Sequence, residues 1–451
     1  MTIFDIVSDA DFEPFKFLLP LALILLLAKL FSLLFKKLNI PQVIGCLLAG
    51  VILGAVTLIP GQTIFSEQTM GGIDDFAKIG VILIMFSAGL ETDLHKVKET
   101  GVSALVVTAF GVLFPLVFGF AISLGFWHTT VFTADGFSMI GLFSCLFYGV
   151  LLTATSVSIT VTVLKEIGKL DSKVGACLIS AAVLDDIIGI ILLSLIVSLS
   201  KSGGEESSLP FGLNFGLDWL NIVMLVVFIL AFFGICVFLW KPIRKLFTWL
   251  NNKWPHHRRI PIFGFGFAFL FSWAAQYCFG VADITGAFMA GLILSGTGSK
   301  QYIDSKADSE AGIIFGPIFF ASIGMMLFTQ GITFDSDFLY FSMFGISFVI
   351  VGLLGKFIGA GLGGLLTHFG VRDSAKLGIG MMARAEVLIV CAKMGIDEKV
   401  KINGVEQSII DPSIMIFILA LIILSSVLTP ILLKLLYKKE LKEEANLTTV
   451  N

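Results

Sequence analysis

Long apolar stretches alternate with short polar ones along almost the whole chain. Many of them reach the roughly 18 residues that mark a helix able to cross a bilayer. We predict thirteen membrane-spanning helices, numbered as spans 1 to 13, at residues 17–35, 40–60, 76–91, 102–126, 137–164, 173–199, 217–240, 260–279, 283–297, 311–329, 338–367, 375–395 and 412–437. The expected fold is an all-α polytopic membrane protein, with residues 1–451 forming a single membrane domain.

Two short motifs recur in the same order. Residues 45–53 of span 2 match residues 286–294 of span 9, and residues 87–90 of span 3 resemble residues 322–325 of span 10. Matching spans are an odd number of spans apart, so the second copy runs through the membrane in the opposite direction. This predicts two inverted six-helix repeats joined by a linker helix at 217–240, an architecture typical of secondary transporters. The alternative explanation of each segment alone is that small residues merely pack helices.

Charge refines this description. Of the 451 residues, 57% are hydrophobic and 14% are charged, and the net charge is only −3. The basic residues form no stripe that could bind nucleic acid. Most of them fall in loops on one side of the predicted membrane, among them Lys36, Lys37, Lys165, Lys169, Arg372, Lys376 and the cluster from Lys241 to Arg259. The positive-inside rule therefore predicts a cytoplasmic-membrane protein with its N-terminus outside and its C-terminal tail, residues 438–451, in the cytoplasm.

The sequence carries no pattern typical of an enzyme or a metalloprotein. All six cysteines fall inside predicted spans, without a CxxC motif or a Cys/His cluster. No nucleophile and base occur in a recognisable arrangement. We therefore expect a protein that is not an enzyme and that needs no cofactor.

Two adjacent aspartates, Asp185 and Asp186, lie near the middle of span 6. A carboxylate at that depth costs a few kcal/mol or more, and usually marks an ion or proton path. The pair therefore predicts a site for a monovalent cation and protons. Lys356 lies near the centre of span 11, too deep to extend to the membrane surface. It could neutralise one aspartate, or form a purely structural ion pair with Asp185.

Spans 5 and 12 are unusually polar. Residues 153–162 of span 5 include six hydroxyl side chains. We predict that this helix is interrupted, since irregular backbone at membrane depth is tolerated where protein or a watery cavity satisfies it. Thr160 and Thr162 are expected to bond back to their own helix. Span 12 holds Arg384 and Glu386, whose opposite charges within one turn indicate structural pairing. We expect two discontinuous helices to cross beside the aspartates.

These residues resemble the bacterial Kef/NapA-type monovalent cation/proton antiporters, a group also called cation:proton antiporter-2. The shared motifs include Pro41-Gln42-Val43-Ile44-Gly45, Ala154-Thr155-Ser156, Leu184-Asp185-Asp186, Gly355-Lys356 and Arg384-Ala385-Glu386. The resemblance implies that Asp186 is the principal carboxylate for the cation and the proton. It also implies that Asp185 is the partner of Lys356, and that Thr155 and Ser156 belong to the crossing of the broken helices.

The resemblance also implies an organisation and an activity. Core residues 101–200 and 338–437 would move against scaffold and dimerisation helices at 1–100 and 260–330, in a homodimer within the lipid bilayer. The implied activity is electrogenic exchange of sodium, or lithium, for protons. The chain ends 14 residues after span 13, so we expect no nucleotide-binding domain there. A potassium/proton exchanger and a sodium-coupled symporter of organic anions are the alternatives, and the number of protons per cation stays open.

Overall fold

A computed structural model describes residues 17–37, 42–59, 61–62, 64–92, 94–127, 131–133, 136–170, 172–202, 218–253, 259–329, 336–402 and 405–448. The helices are α1 (Leu18–Lys37), α2 (Gln42–Val56), α3 (Glu67–Glu91), α4 (Leu94–Phe126), α5 (Met139–Leu151), α6 (Val157–Glu166), α7 (Lys173–Ser202), α8 (Asp218–Lys253), α9 (Arg259–Phe279), α10 (Asp283–Leu294), α11 (Lys300–Glu310), α12 (Gly316–Thr329), α13 (Ser336–Leu366), α14 (Val371–Gly380), α15 (Glu386–Asp397) and α16 (Ile414–Thr448). A π-helical turn, Ala311–Phe315, joins α11 to α12. Two antiparallel hairpins pair β1 (Phe132–Thr133) with β2 (Gly136–Phe137), and β3 (Lys399–Ile402) with β4 (Val405–Ser408).

The helical, multi-pass membrane character predicted from the sequence is confirmed. Within the described ranges, eight helices are long and apolar enough to cross a membrane, and α2, α5 and α10 are shorter apolar helices. Most helix ends lie within a few residues of the predicted spans. The clearest difference is α8, which continues to Lys253 because Phe247 and Leu250 remain buried at helical spacing beyond the apolar stretch.

The chain forms two compact units. The first unit contains Met1–Asp93 and Lys201–Thr333. In it, α2 packs against α1 and α12, and α10 packs against α3 and α9.

Glycines permit two of these contacts in the first unit. A Cβ added to Gly324 would meet the carbonyl of Leu47 and the backbone of Gly50, and one added to Gly291 would meet the carbonyl of Phe86 and the backbone of Gly89. Both additions would meet backbone atoms that cannot move aside. The α2–α12 and α3–α10 contacts therefore require glycine.

The second unit contains Leu94–Ser200 and Phe334–Asn451. Its largest contact joins α13 to α4, and α14 and α16 also pack on α13. Glycines of α13 face α4 closely: a Cβ on Gly355 would meet Pro115, and a Cβ on Gly359 would meet the carbonyl of Phe110. These glycines allow α13 and α4 to approach closely. This close approach holds Lys356 of α13 inside the unit, where the side chain is fully buried.

Candidate functional site

The helix predicted as span 5 is interrupted, as its hydroxyl content indicated. α5 ends at Leu151 and α6 begins at Val157, and residues 152–156 between them are buried and not α-helical. The Thr153 hydroxyl donates to the carbonyl of Val150 at 2.7 Å, and the Thr155 hydroxyl donates to the carbonyl of Thr153 at 3.4 Å. The Val150 carbonyl also accepts the Thr153 backbone N–H at 2.8 Å, so Thr153 closes the turn that ends α5 with both its hydroxyl and its backbone.

A second interruption divides the region predicted as span 12. α14 ends at Gly380, and α15 begins at Glu386. The intervening residues are fixed by α16, because the Arg384 backbone N–H donates to the Ser425 hydroxyl at 3.2 Å. The Ser426 hydroxyl donates to the Arg384 carbonyl at 3.4 Å. The side chain of Glu386 lies outside the described part of the structure.

The two interruptions bond directly to each other. The Ser156 backbone N–H donates to the Ala383 carbonyl at 2.8 Å, and the Thr160 hydroxyl donates to the Gly380 carbonyl at 2.6 Å. The expectation that Thr160 bonds back to its own helix was wrong. Gly380 is the last residue of α14, so its carbonyl lacks an intrahelical partner and accepts this hydroxyl instead. The side chain of Thr162 is not described.

Arg384 links three segments of the second unit. Its fully buried guanidinium donates to the carbonyl of Ala154 in the first interruption, and to the carbonyl of Gly352 in α13 at 2.9 Å. Hydrogen bonds from a charged group are stronger than those between neutral groups. Arg384 thus holds the two interruptions and α13 together.

Asp185 and Lys356 form a buried ion pair. Lys356 Nζ lies 2.5 Å from Asp185 Oδ1, and neither side chain is exposed. Breaking such a pair by removing one partner typically costs about 3–5 kcal/mol, because an uncompensated charge stays buried. The pair therefore connects α7 to α13 and cancels one charge of each sign inside the unit.

Asp186 is next to this pair and is half-buried, with Oδ1 shielded from solvent. It interacts electrostatically with Lys356 and with Cys391 of α15. One helical turn before it, Ala182 lines a cavity of ≈ 10 Å³, which is room for about one water molecule. Ser156, Thr160 and Gly380 line the same cavity.

The arrangement gathers oxygen ligands near one carboxylate. Asp185, Lys356, Thr155, Ser156 and Arg384 all lie buried around the meeting of the interruptions, and Asp186 follows directly on α7. Hydroxyl, carbonyl and carboxylate oxygens are the ligands that hard cations prefer. In the part of the chain that the structure describes, no three His, Cys, Asp or Glu side chains are grouped to hold a metal ion. Oxygen ligands of this kind can hold a hard cation, and the Asp186 carboxylate can also hold a proton.

Sequence reasoning missed three residues that contribute to the site or its support. Ser425 and Ser426 of α16 carry no local pattern that sets them apart from other hydroxyls in membrane helices. Lys376, expected in a cytoplasmic loop, is instead only 2% exposed. Asp373, three residues earlier, was an available signal because residues at this spacing face each other on a helix and can pair.

Comparisons with known proteins identify the family of this chain. Residues 22–439 match the family described as sodium/hydrogen exchanger, transmembrane. The "Probable Na(+)/H(+) antiporter GerT" of Bacillus cereus is 34% identical over 84% of this chain and 91% of its own length. The Na(+)/H(+)-K(+) antiporter GerN of the same organism is 31% identical over 93% and 96%, and an Enterococcus hirae Na(+)/H(+) antiporter is 30% identical over 93% and 97%.

A solved structure shows the same fold. The sodium proton antiporter MjNhaP1 from Methanocaldococcus jannaschii, at pH 8, aligns with a TM-score of 0.63 over 95% of this chain and 98% of its own. Its 17% sequence identity supports a likeness of fold alone. The family model, by contrast, covers nearly all of the described chain. This protein belongs to the sodium/hydrogen exchanger family of transmembrane proteins.

Proposed function

We propose that this protein exchanges sodium, or lithium, for protons across the cytoplasmic membrane by an alternating-access, elevator-type movement. The observation that carries the proposal is the buried Asp185–Lys356 pair beside Asp186, where two interrupted helices bond to each other. The relatives named as Na(+)/H(+) antiporters support the same activity. A transporter of this kind carries out no covalent chemistry and uses no cofactor.

The proposed mechanism is competition for Asp186. Its carboxylate holds either a proton or a cation, and the transport core exposes it to one side of the membrane at a time. Asp185 and Lys356 cancel each other's charge, so occupancy of Asp186 neutralises the remaining carboxylate. Moving a charge through hydrocarbon is costly, so the empty site crosses less readily than either loaded form. This difference couples the two fluxes and suppresses leak.

Ser156, Thr160 and the carbonyl end of α14 are the further oxygen sources proposed for the cation. They line the cavity one turn from Asp186. Thr155 belongs to the same buried interruption. Asp185 is proposed to hold Lys356 rather than to bind the cation alone, and Glu386 is proposed as a polar structural residue at the start of α15.

The proposal includes the finer architecture. We propose thirteen membrane crossings in two inverted repeats, with the N-terminus outside and the C-terminus in the cytoplasm. The glycine contacts support the repeat. The repeated motifs place Gly50 at the same position as Gly291, and Gly89 at the same position as Gly324. The contact between Gly50 and Gly324 therefore corresponds to the contact between Gly291 and Gly89.

The division of labour follows the resemblance to Kef/NapA-type antiporters. Residues 101–200 and 338–437 are proposed as the transport core, and residues 1–100 and 260–330 as the scaffold of a homodimer, with the linker helix at 217–240. Exchange is proposed to be electrogenic.

A potassium/proton exchanger of the same fold is the second candidate. The observation that favours it is the relative named as a Na(+)/H(+)-K(+) antiporter, which is 31% identical to this chain. The site's oxygen ligands suit either ion, and discrimination between them depends on small differences in cavity size.

The function is tested by reconstituting the protein in liposomes that contain a pH-sensitive dye and adding sodium, lithium or potassium in turn. The proposal predicts proton movement on addition of sodium or lithium. A response to potassium alone would support the second candidate. No response to any of the three cations between about pH 6 and 9, a range that lies between the ordinary pKa values of a carboxyl group and a lysine, would reject cation/proton exchange.

A further inference from the structure

A second buried lysine lies outside the site described above. Lys376 Nζ is 2.8 Å from Asp373 Oδ1 on its own helix, and 2.5 Å from Glu440 Oε1 on α16. It also lies 4.2 Å from the ring centroid of Tyr437, which is itself buried. Lysine side chains are almost never this enclosed unless they are paired. The cluster therefore fixes α14 firmly to the end of α16.

Lys376 is one helical turn from the candidate site. Gly380, four residues later, ends α14, accepts the Thr160 hydroxyl and lines the cavity beside Ala182. α14 is only 10 residues long, so a shift of Lys376 is transmitted along the helix to Gly380. The contact between Lys376 and Glu440 thus determines where the carbonyl end of α14 lies.

α16 holds the second interruption from both sides. Ser425 and Ser426 bond to the backbone of Arg384 within the interruption, and Glu440 bonds to Lys376 before it. These contacts add α16 to the segments that hold the interruption. The last turns of α16 are therefore in a position to act on the geometry of the site from a distance.

We propose that Lys376 and Glu440 are positioning residues for the cation site, and that their ion pair tunes the affinity for the transported cation through α14. The inference rests on the proposed function, because it concerns the same site. Neither side chain touches the cation. The competing explanation is that the pair only stabilises the fold, and the two explanations predict different effects on cation affinity.

Glu440→Gln tests the proposal without exposing a bare charge, because Lys376 keeps Asp373 as a partner. We expect the apparent KM for sodium to rise about fivefold or more, the lower limit of typical coupling between sites, with little change in maximal rate. Glu440→Asp, which retains the charge, should recover part of the affinity. Asp75→Asn, which removes a partner of Lys78 in a well-exposed pair, is the matched control and should behave as the wild type.

Sodium binding provides a second readout that does not need exchange. Sodium should raise the melting temperature of the purified protein, since a ligand that binds only the folded state stabilises it. In Glu440→Gln, an equal rise should need about fivefold more sodium, because the rise depends on the ratio of sodium concentration to its dissociation constant. The KM of Lys376→Met should not increase further when Glu440→Gln is added, because residues of one pair are not additive.

The outcomes separate the two proposals. A wild-type protein that binds sodium but moves no protons would reject the proposed function. The sodium concentration that gives an equal rise in melting temperature in wild type and Glu440→Gln still decides the positioning role. A lower melting temperature for Glu440→Gln with unchanged sodium affinity would overturn the positioning role, and so would unchanged values of both. A raised KM for sodium, together with a higher sodium concentration needed for an equal rise in melting temperature, would support the positioning role.

Discussion

Three fully buried charges and one half-buried carboxylate define the site at the scale of single residues. Asp185 and Lys356 are neutral as a pair, and the Arg384 guanidinium donates to the carbonyls of Ala154 and Gly352. Asp186 has the same carboxylate as Asp185, but the two side chains have different surroundings. Asp185 lies 2.5 Å from Lys356, whereas Asp186 lies one helical turn after the cavity-lining Ala182. The proposed tasks of the two adjacent carboxylates differ because their surroundings differ.

Lys356→Ala should cost about 3–5 kcal/mol of stability, because it leaves Asp185 buried without its cation. We expect a lower melting temperature and an altered ratio of protons to cations, rather than a complete loss of transport. The measurement is thermal unfolding in detergent together with the reversal potential in liposomes. Adding Asp185→Asn to Lys356→Ala should restore part of the stability. A double variant that is less stable than either single variant would contradict the pairing.

Competition at Asp186 predicts a defined pH dependence. Protons and sodium present on the same side exclude each other, so a lower pH leaves fewer carboxylates available to sodium. The apparent KM for sodium should therefore rise as pH falls, approaching about tenfold per pH unit once the carboxylate is mostly protonated. Initial exchange rates over a matrix of pH and sodium concentrations give this slope. An apparent KM that does not change with pH would exclude competition at one carboxylate.

The elements of the site are two interrupted helices and the unbroken helices that hold them. The interruption of span 5 was predictable, because so many hydroxyl side chains in one apolar helix indicate backbone that needs extra partners. The partner of Thr160 was not, since Gly380 is 220 residues away and no local pattern links them. Lys376 was misplaced for a similar reason: charge alone suggested a loop, but Glu440 and Tyr437 enclose it from another helix.

Glycine contacts between elements give a further prediction. Gly324→Ala should destabilise the protein by about 1–3 kcal/mol, as overpacking typically does, because its Cβ would press on the backbone of α2. Gly291→Ala should have a similar effect through the backbone of α3. Gly234→Ala in α8, where the added Cβ meets nothing within 4 Å, is the matched control. Melting temperatures decide the matter, and equal values for Gly324→Ala and Gly234→Ala would refute the close contact.

At the scale of the whole molecule, the apolar pattern predicted most helices to within a few residues. It could do so because lipid removes the ambiguity between helix and strand for long apolar stretches. The extension of α8 to Lys253 was missed, since buried residues beyond the membrane-length stretch are set by tertiary packing. The number of crossings, the orientation and the inverted repeat remain predictions, and the paired glycine contacts of the first unit support the repeat.

The central claim is that one carboxylate, Asp186, couples the cation to the proton. The most direct measurement compares sodium-driven proton movement in liposomes that contain wild-type protein, Asp186→Asn or the exposed control Asp75→Asn. We expect Asp186→Asn to fold with a near-normal melting temperature and to show no sodium-driven pH change, while the control exchanges normally. Sodium-driven proton movement that persists in Asp186→Asn would contradict the claim and move the coupling site elsewhere.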